Sequence, residues 1–238
     1  MRLPGFLLIL SLLPSLAQAC ADRPEQWQAD IAAFAAADRA QRPPPHPVLF
    51  VGSSSIRMWS SLASDFPGRA VINRGFGGSR IPDVSHYVDR LVGPYHPRAI
   101  VIYAGDNDLA EGCTPEQVRD AFARFVRRAR SLDAGVPIAF IAIKPSMARR
   151  SLLPEIRRAN TLVRDYARAA KDVGYVDVFT PMLGPDGQPQ PKWFGADGLH
   201  MNRQGYVLWT RLVRDWLHGT LDEGAARSGA AAREPTSP

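Results

Sequence analysis

Four stretches of this chain are apolar without a polar interruption: Val48-Leu49-Phe50-Val51, Ala70-Val71-Ile72, Ala99-Ile100-Val101-Ile102-Tyr103 and Ile138-Ala139-Phe140-Ile141-Ala142-Ile143. A strand with one wet face alternates polar with apolar residues, so runs like these suit strands covered on both faces. Tyr175-Val176-Asp177-Val178-Phe179 is a fifth candidate. Between them the apolar residues take helical spacing, over about 82–92, 115–132 and 150–172, and again over about 203–218. Strand and helix thus alternate throughout. This predicts an α/β fold in which about five parallel strands form one sheet with helices on both faces, a three-layer sandwich with its cleft at the carboxyl ends of the strands.

Both ends depart from this pattern. Residues 1–19 carry Arg2, a short leucine-rich run and then Ala17-Gln18-Ala19, the arrangement of a cleaved secretory signal peptide. Pro4, Pro14 and Gln18 cut that run short of the roughly 20 apolar residues that a membrane span requires. Cys20 follows, where a bacterial lipoprotein carries its lipidated cysteine, but Ala17-Gln18-Ala19 fits a lipobox poorly. Plain secretion, outside the cell or into a periplasm, is the preferred reading. A lipid anchor at Cys20 and a disulfide to Cys113, the one other cysteine, both stay open. Residues 20–46 read as an Ala-rich helix with Trp27, Ile31 and Phe34 on one face, then a linker braked by Pro43-Pro44-Pro45. The domain proper is expected over 47–220. Residues 221–238 hold no large apolar residue after Leu221 and are expected to be a disordered tail.

The formal net charge is +6, and all but three of the 29 basic residues are Arg. A nucleic-acid surface would cluster its bases with interleaved aromatics. Here Arg119, Arg124, Arg127, Arg128, Arg130, Arg157, Arg158, Arg164 and Arg168 instead lie with apolar residues between them along two helical patterns, as solvated helix faces do, so no nucleic-acid partner is expected.

The chemistry sits at the predicted strand ends. The first strand stops at Gly52-Ser53-Ser54-Ser55-Ile56, which alone is an ordinary strand-to-helix turn. The second ends in Gly75-Phe76-Gly77-Gly78-Ser79-Arg80; a dinucleotide fingerprint would need a small residue in place of Arg80 and an acid about 20 residues after the strand, and neither is present. The third ends in Gly105-Asp106-Asn107-Asp108, whose continuation lacks the glycine of a calcium loop. Asp197-Gly198-Leu199-His200 stands before the last helix, with Asn202 placed to cap it. The five His, at 46, 86, 96, 200 and 218, form no pair at metal-ligand spacing on one helix, so no metal and no cofactor are called for.

Taken together and in this order, the Ser turn, the Gly-rich turn, the Gly-x-Asn-Asp and the Asp-x-x-His resemble the four motif blocks of the SGNH hydrolases, also called the GDSL esterase/lipase family, over about residues 47–218. The segment around Val48–Trp59 is most similar to the branch of the platelet-activating-factor acetylhydrolase subunits. The resemblance implies a flavodoxin-like sheet, Ser54 as nucleophile, His200 as base and Asp197 as its orienter. It also implies an oxyanion hole from the Ser54 backbone N–H, Gly78 and Asn107. The family's Gly-Asp-Ser is here Gly52-Ser53-Ser54, so the Asp that commonly braces the nucleophile turn is missing.

Physical chemistry asks for the same parts. A serine hydroxyl attacks only when a positioned His takes its proton, and that His needs a second acceptor to fix its tautomer. Attack on an ester puts negative charge on the carbonyl oxygen, which N–H donors from separate strand ends can surround. The expected activity is a secreted carboxylic ester hydrolase working through an acyl-Ser54 intermediate, on a small-molecule, glycan or lipid ester. Acyl transfer to a glycan hydroxyl and a catalytically silent glycan-binding module are the competing readings. Trp59, Trp193 and Phe194 lie near the motifs in sequence and are candidates for a wall that favours short acyl groups, with a place in the core as the equally good alternative.

Overall fold

The apolar runs pair edge to edge in a computed structural model that describes Cys20 and residues 23–222; the signal-like segment 1–19 and residues 223–238 of the expected tail lie outside the described residues. Strands β1 (Val48–Gly52), β2 (Val71–Gly75), β3 (Ala99–Tyr103), β4 (Ile138–Ile141) and β5 (Val173–Val176) are all parallel, in the order β2-β1-β3-β4-β5. The order reverses at β1, and the crevice of such a sheet opens at the carboxyl ends on either side of the reversal. β5 begins two residues earlier than the apolar run suggests. Gly174 contributes no hydrophobic signal, yet a Cβ there would lie 2.1 Å from Trp216 Nε1, so its missing side chain is what admits the Trp216 ring.

Nine α-helical segments are described. α1 is Gln28–Ala40, α2 Ser54–Arg57, α3 Leu62–Asp65, α4 Ile81–His86, α5 Val88–Leu91, α6 Asp106–Ala110, α7 Pro115–Leu132, α8 Leu153–Ala169 and α9 Arg203–Leu217. None of the described helices is long and apolar enough to cross a membrane. α7 starts where local chemistry dictates: Pro115 takes the first turn, Thr114 accepts from the Gln117 N–H at 3.2 Å, and the Gln117 side chain accepts from the Thr114 N–H at 2.8 Å. After α9 the chain continues as a π-helical turn through Asp222, two residues beyond the expected end of the domain at residue 220.

The strand register sorts the core into two layers. Phe50 lies opposite Val101, and Val101 opposite Ala139, so with period-2 alternation Phe50, Val101 and Tyr103 share one face. Phe50 packs on Trp59 and Phe66, and Tyr103 on Trp209 of α9. Ile102 and Phe140 point the other way, where Phe140 meets Phe122 of α7 with ring centroids 4.9 Å apart.

The helix expected ahead of the domain is packed onto it. Trp27 and Ile31 are buried, Trp27 edge-on to Phe76. Asp38 bonds to Arg74 and to the Tyr95 hydroxyl, and the Arg74 guanidinium sits 5.0 Å from the Phe34 ring. At the other end, Cys20 and Cys113 form a disulfide across a separation of 93 residues.

Candidate active site

Gly52, the last residue of β1, pairs with Gly75 on one side and Tyr103 on the other, so three loops leave the sheet at one level. Gly52 has φ of 132°, and a Cβ on it would fall 1.9 Å from the Tyr103 carbonyl oxygen, so only glycine lets β1 and β3 approach here. The Ser53 N–H donates to that same carbonyl at 2.9 Å, and the chain turns into α2 with Ser54 as its first residue. Ser53 and Ser55 are buried, while Ser54 is half-exposed. Geometry therefore singles out one of the three consecutive serines. The turn is braced without an Asp: the Asn73 amide donates to the Ile56 carbonyl and accepts from the Gly75 N–H, and the Tyr206 hydroxyl donates to the Ser55 carbonyl at 3.0 Å.

His200 reaches this turn from across the chain. Its Nε2 lies 2.9 Å from Ser54 Oγ and its Nδ1 lies 2.6 Å from Asp197 Oδ2. The second Asp197 oxygen accepts from the Leu199 and His200 backbone N–H groups, each at 2.9 Å. The bond to His200, with these two N–H groups, holds the Asp197 carboxyl down at about 2. Asp197 is thus held as an anion near neutral pH. Asn202 caps α9 by accepting from the Gly205 N–H at 3.1 Å, and its amide donates to the Lys192 and Phe194 carbonyls, tying the loop to the helix.

The second and third loops are joined to each other. Asn107 Nδ2 donates to the Ser79 carbonyl at 3.0 Å, beside Gly78, which has φ of 78°. One residue on, the buried Asp108 carboxyl accepts from the Ile81 N–H at 3.2 Å, and burial pushes that carboxyl up to about 7. Arg57 lies along the Gly-rich turn: a Cβ at Gly77 would meet its Nη1 at 2.8 Å.

Three residues that sequence reading left unassigned stand directly behind this loop. Asp106 is buried; its Oδ2 accepts from Lys144 Nζ at 2.6 Å and its Oδ1 from Arg149 Nη1 at 2.5 Å. Burial alone would push the Asp106 carboxyl up, but the two cations hold it below the usual range. Arg149 also donates from Nη2 to Asn107 Oδ1 at 2.9 Å. Among the described residues no group of three or more His, Cys, Asp or Glu is placed to hold a metal ion.

The aromatic candidates fall elsewhere. Trp59 is a core residue, 1% exposed, packed on Phe50, Phe66, Tyr206 and Trp209, with its indole N–H donating to Asp65 at 2.8 Å; it is not a wall of the site. Its bulk fills the space between the sheet and α9, which proximity in sequence to Ser54 does not reveal. Phe194 is likewise buried, in a bridge to Met201. Trp193 is half-buried and lines a groove with Val207 and Arg211 of α9. The ring that does reach the Gly-rich turn is Trp27, whose edge lies 3.2 Å from the position of a Cβ on Gly78.

Similar proteins share this architecture. A GDSL-like lipase from Bacteroides thetaiotaomicron is 21% identical, with a TM-score of 0.69, covering 81% of this chain and 99% of its own. A protein of Streptococcus pneumonia described as a platelet activating factor is 18% identical, TM-score 0.72, over 81% of this chain and 93% of its own. The family 3 carbohydrate esterase of Clostridium thermocellum is 14% identical, TM-score 0.59, over 76% and 98%. No curated protein matches the sequence. The model of the GDSL-like Lipase/Acylhydrolase family matches residues 50–208, which is more than half of the chain and spans all four motif blocks. On that match the chain belongs to the GDSL-like lipase/acylhydrolase family.

Proposed function

We propose that the protein is an exported serine hydrolase of carboxylic esters that works through an acyl-Ser54 intermediate. The observation that carries this reading is the continuous relay from Ser54 Oγ through His200 to Asp197, with links of 2.9 and 2.6 Å. His200 Nε2 takes the Ser54 proton as Oγ attacks the ester carbonyl, and Asp197 holds the ring in the required tautomer and stabilises the imidazolium. The Ser54 and Gly78 N–H groups and Asn107 Nδ2 receive the charge that develops on the carbonyl oxygen. The imidazolium then protonates the leaving alcohol, and a water activated by the same His releases the acid.

Short acyl groups are the proposed substrates, with Trp27 rather than Trp59 as the bulky ring beside the oxyanion turn. A saccharide belongs in the tested range of alcohols because a carbohydrate esterase shares the fold. Export is supported by the Cys20–Cys113 disulfide, since such bonds persist in oxidising compartments and this one occupies the thiol that a lipid anchor would need. The test is a panel of esters varied in acyl length and alcohol, run beside labelling with a serine-directed phosphonate. Turnover of acetyl or butyryl esters with the label on Ser54 is the expected result. A label on Ser53 or Ser55, or no turnover of any ester, would overturn the reading.

A further inference from the structure

Asn107 is served by a residue far along the chain. Its carboxamide sits between a carbonyl that needs a donor, Ser79 O, and a guanidinium that needs an acceptor, Arg149 Nη2. Turning the amide over would set N–H against N–H and oxygen against oxygen, so only one orientation satisfies both partners. In that orientation one Nδ2 hydrogen is held by Ser79 and the other is left for a ligand. Arg149 is in turn held by Asp106, which it shares with the buried Lys144. Two cations against one carboxylate leave a net positive charge behind the amide, in a region with little water to screen it.

We propose that Arg149 is a positioning residue for ester hydrolysis: it locks the Asn107 amide with its N–H toward the oxyanion and supplies, with Lys144, the positive field behind it. The proposal rests on the reading of Asn107 as an oxyanion donor given above. A donor already aimed at the developing charge acts on the transition state far more than on the neutral carbonyl of the bound ester. Loss of Arg149 should therefore appear in kcat and leave KM nearly in place. A lysine is no equivalent, because one ammonium cannot span Asp106 and Asn107 as the planar guanidinium does.

The experiment is a double-mutant cycle between Arg149→Met and Asn107→Ala, with folding checked by circular dichroism and kinetics on a short neutral ester. Asn107→Ala should lower kcat by about 10²–10³, the effect of removing one oxyanion donor. Arg149→Met should lower it by about 10–100-fold with KM changed less than about threefold, and in the Asn107→Ala background by less than about threefold, since the amide it aims is gone. A loss from Arg149→Met that persists in full without the Asn107 amide, or no loss at all, would overturn the proposal. A folded Asn107→Ala enzyme with undiminished kcat would instead remove Asn107 from the oxyanion hole, and the proposal with it. Should Arg149→Met fail to fold, Arg149→Lys keeps a cation on Asp106 and is judged by the same coupling, with a smaller loss expected.

Discussion

Asp197 and Asp106 each hold a basic side chain within hydrogen-bond distance at the same end of the sheet, yet they are built in opposite ways. Asp197 and His200 lie three residues apart on one loop, and the carboxylate side chain is 52% exposed, with two backbone N–H groups of its own turn as support. The partners of Asp106, Lys144 and Arg149, instead come from the loop after β4, 38 and 43 residues along the chain, and the carboxylate is 6% exposed. The His of a hydrolytic relay must gain and lose a proton in every turnover, which a site open to water allows at small energetic penalty. A charge that serves only to hold geometry and field can stay buried where opposite charge and hydrogen bonds offset its desolvation, and breaking such a group is costly. The exposed pair is therefore expected to govern rate with little effect on stability, and the buried cluster to govern stability beside the smaller effect on rate that Arg149 exerts through Asn107.

The largest effect tests the relay itself. Ser54→Ala is expected to lower kcat by about 10⁶, as removal of a triad nucleophile does, whereas Ser53→Ala and Ser55→Ala keep measurable turnover. The buried Ser55 hydroxyl has no hydrogen-bond partner to lose among the described residues. Steady-state kinetics on a short ester decide it, and a Ser55→Ala enzyme as dead as Ser54→Ala would break the relay as described.

Exchanging the two carboxylates for amides sharpens the contrast. Asp197→Asn should lower kcat by about 10³–10⁴ through the wrong His tautomer, while urea unfolding moves by less than about 1 kcal/mol, the range of an exposed ion pair. Asp106→Asn should show the reverse emphasis. It leaves the buried Lys144 and the half-buried Arg149 facing a neutral amide, and a broken buried pair destabilises by about 3–5 kcal/mol. Equal stability losses in the two variants would erase the distinction between the regions.

The same contrast explains what could be read from the sequence. Uninterrupted runs such as Ala99–Tyr103 made the sheet legible, since burial on both faces leaves no polar alternation, and the helical spacing of apolar residues over about 115–132 matches α7. Ser54, Asp197 and His200 were legible because short local spacing and order along the chain carry their pattern. Lys144 and Arg149 were not, because nothing near them in sequence separates a buried ion-pair cation from the many solvated Arg of the helix faces. Trp27 was read as one face of a separate helix; only tertiary packing brings it against Gly78. Trp59 failed in the opposite sense: five residues from the nucleophile, it faces the core.

A finer test uses pH, and again sets a buried carboxyl against an exposed one. Asp108 follows Asp106 by two residues in α6, and burial raises its pKa from 3.8 to about 7. Its contribution to stability is then complete below about 4 and is lost as pH rises through about 7, because the unfolded chain releases the proton first. Asp197, lowered to about 2, has the opposite sign: its contribution is present above 3.8 and is lost only as pH falls toward 2. Between pH 4 and 7 the unfolding free energy of the parent protein, from urea titration, should fall, with a slope from Asp108 of at most about 1.4 kcal/mol per pH unit. Asp108→Asn should flatten that slope while keeping an acceptor for the Ile81 N–H, and Asp197→Asn should leave it unchanged. A slope that survived Asp108→Asn and vanished with Asp197→Asn would mean that the exposed loop, and not the buried helix start, carries the pH dependence of folding.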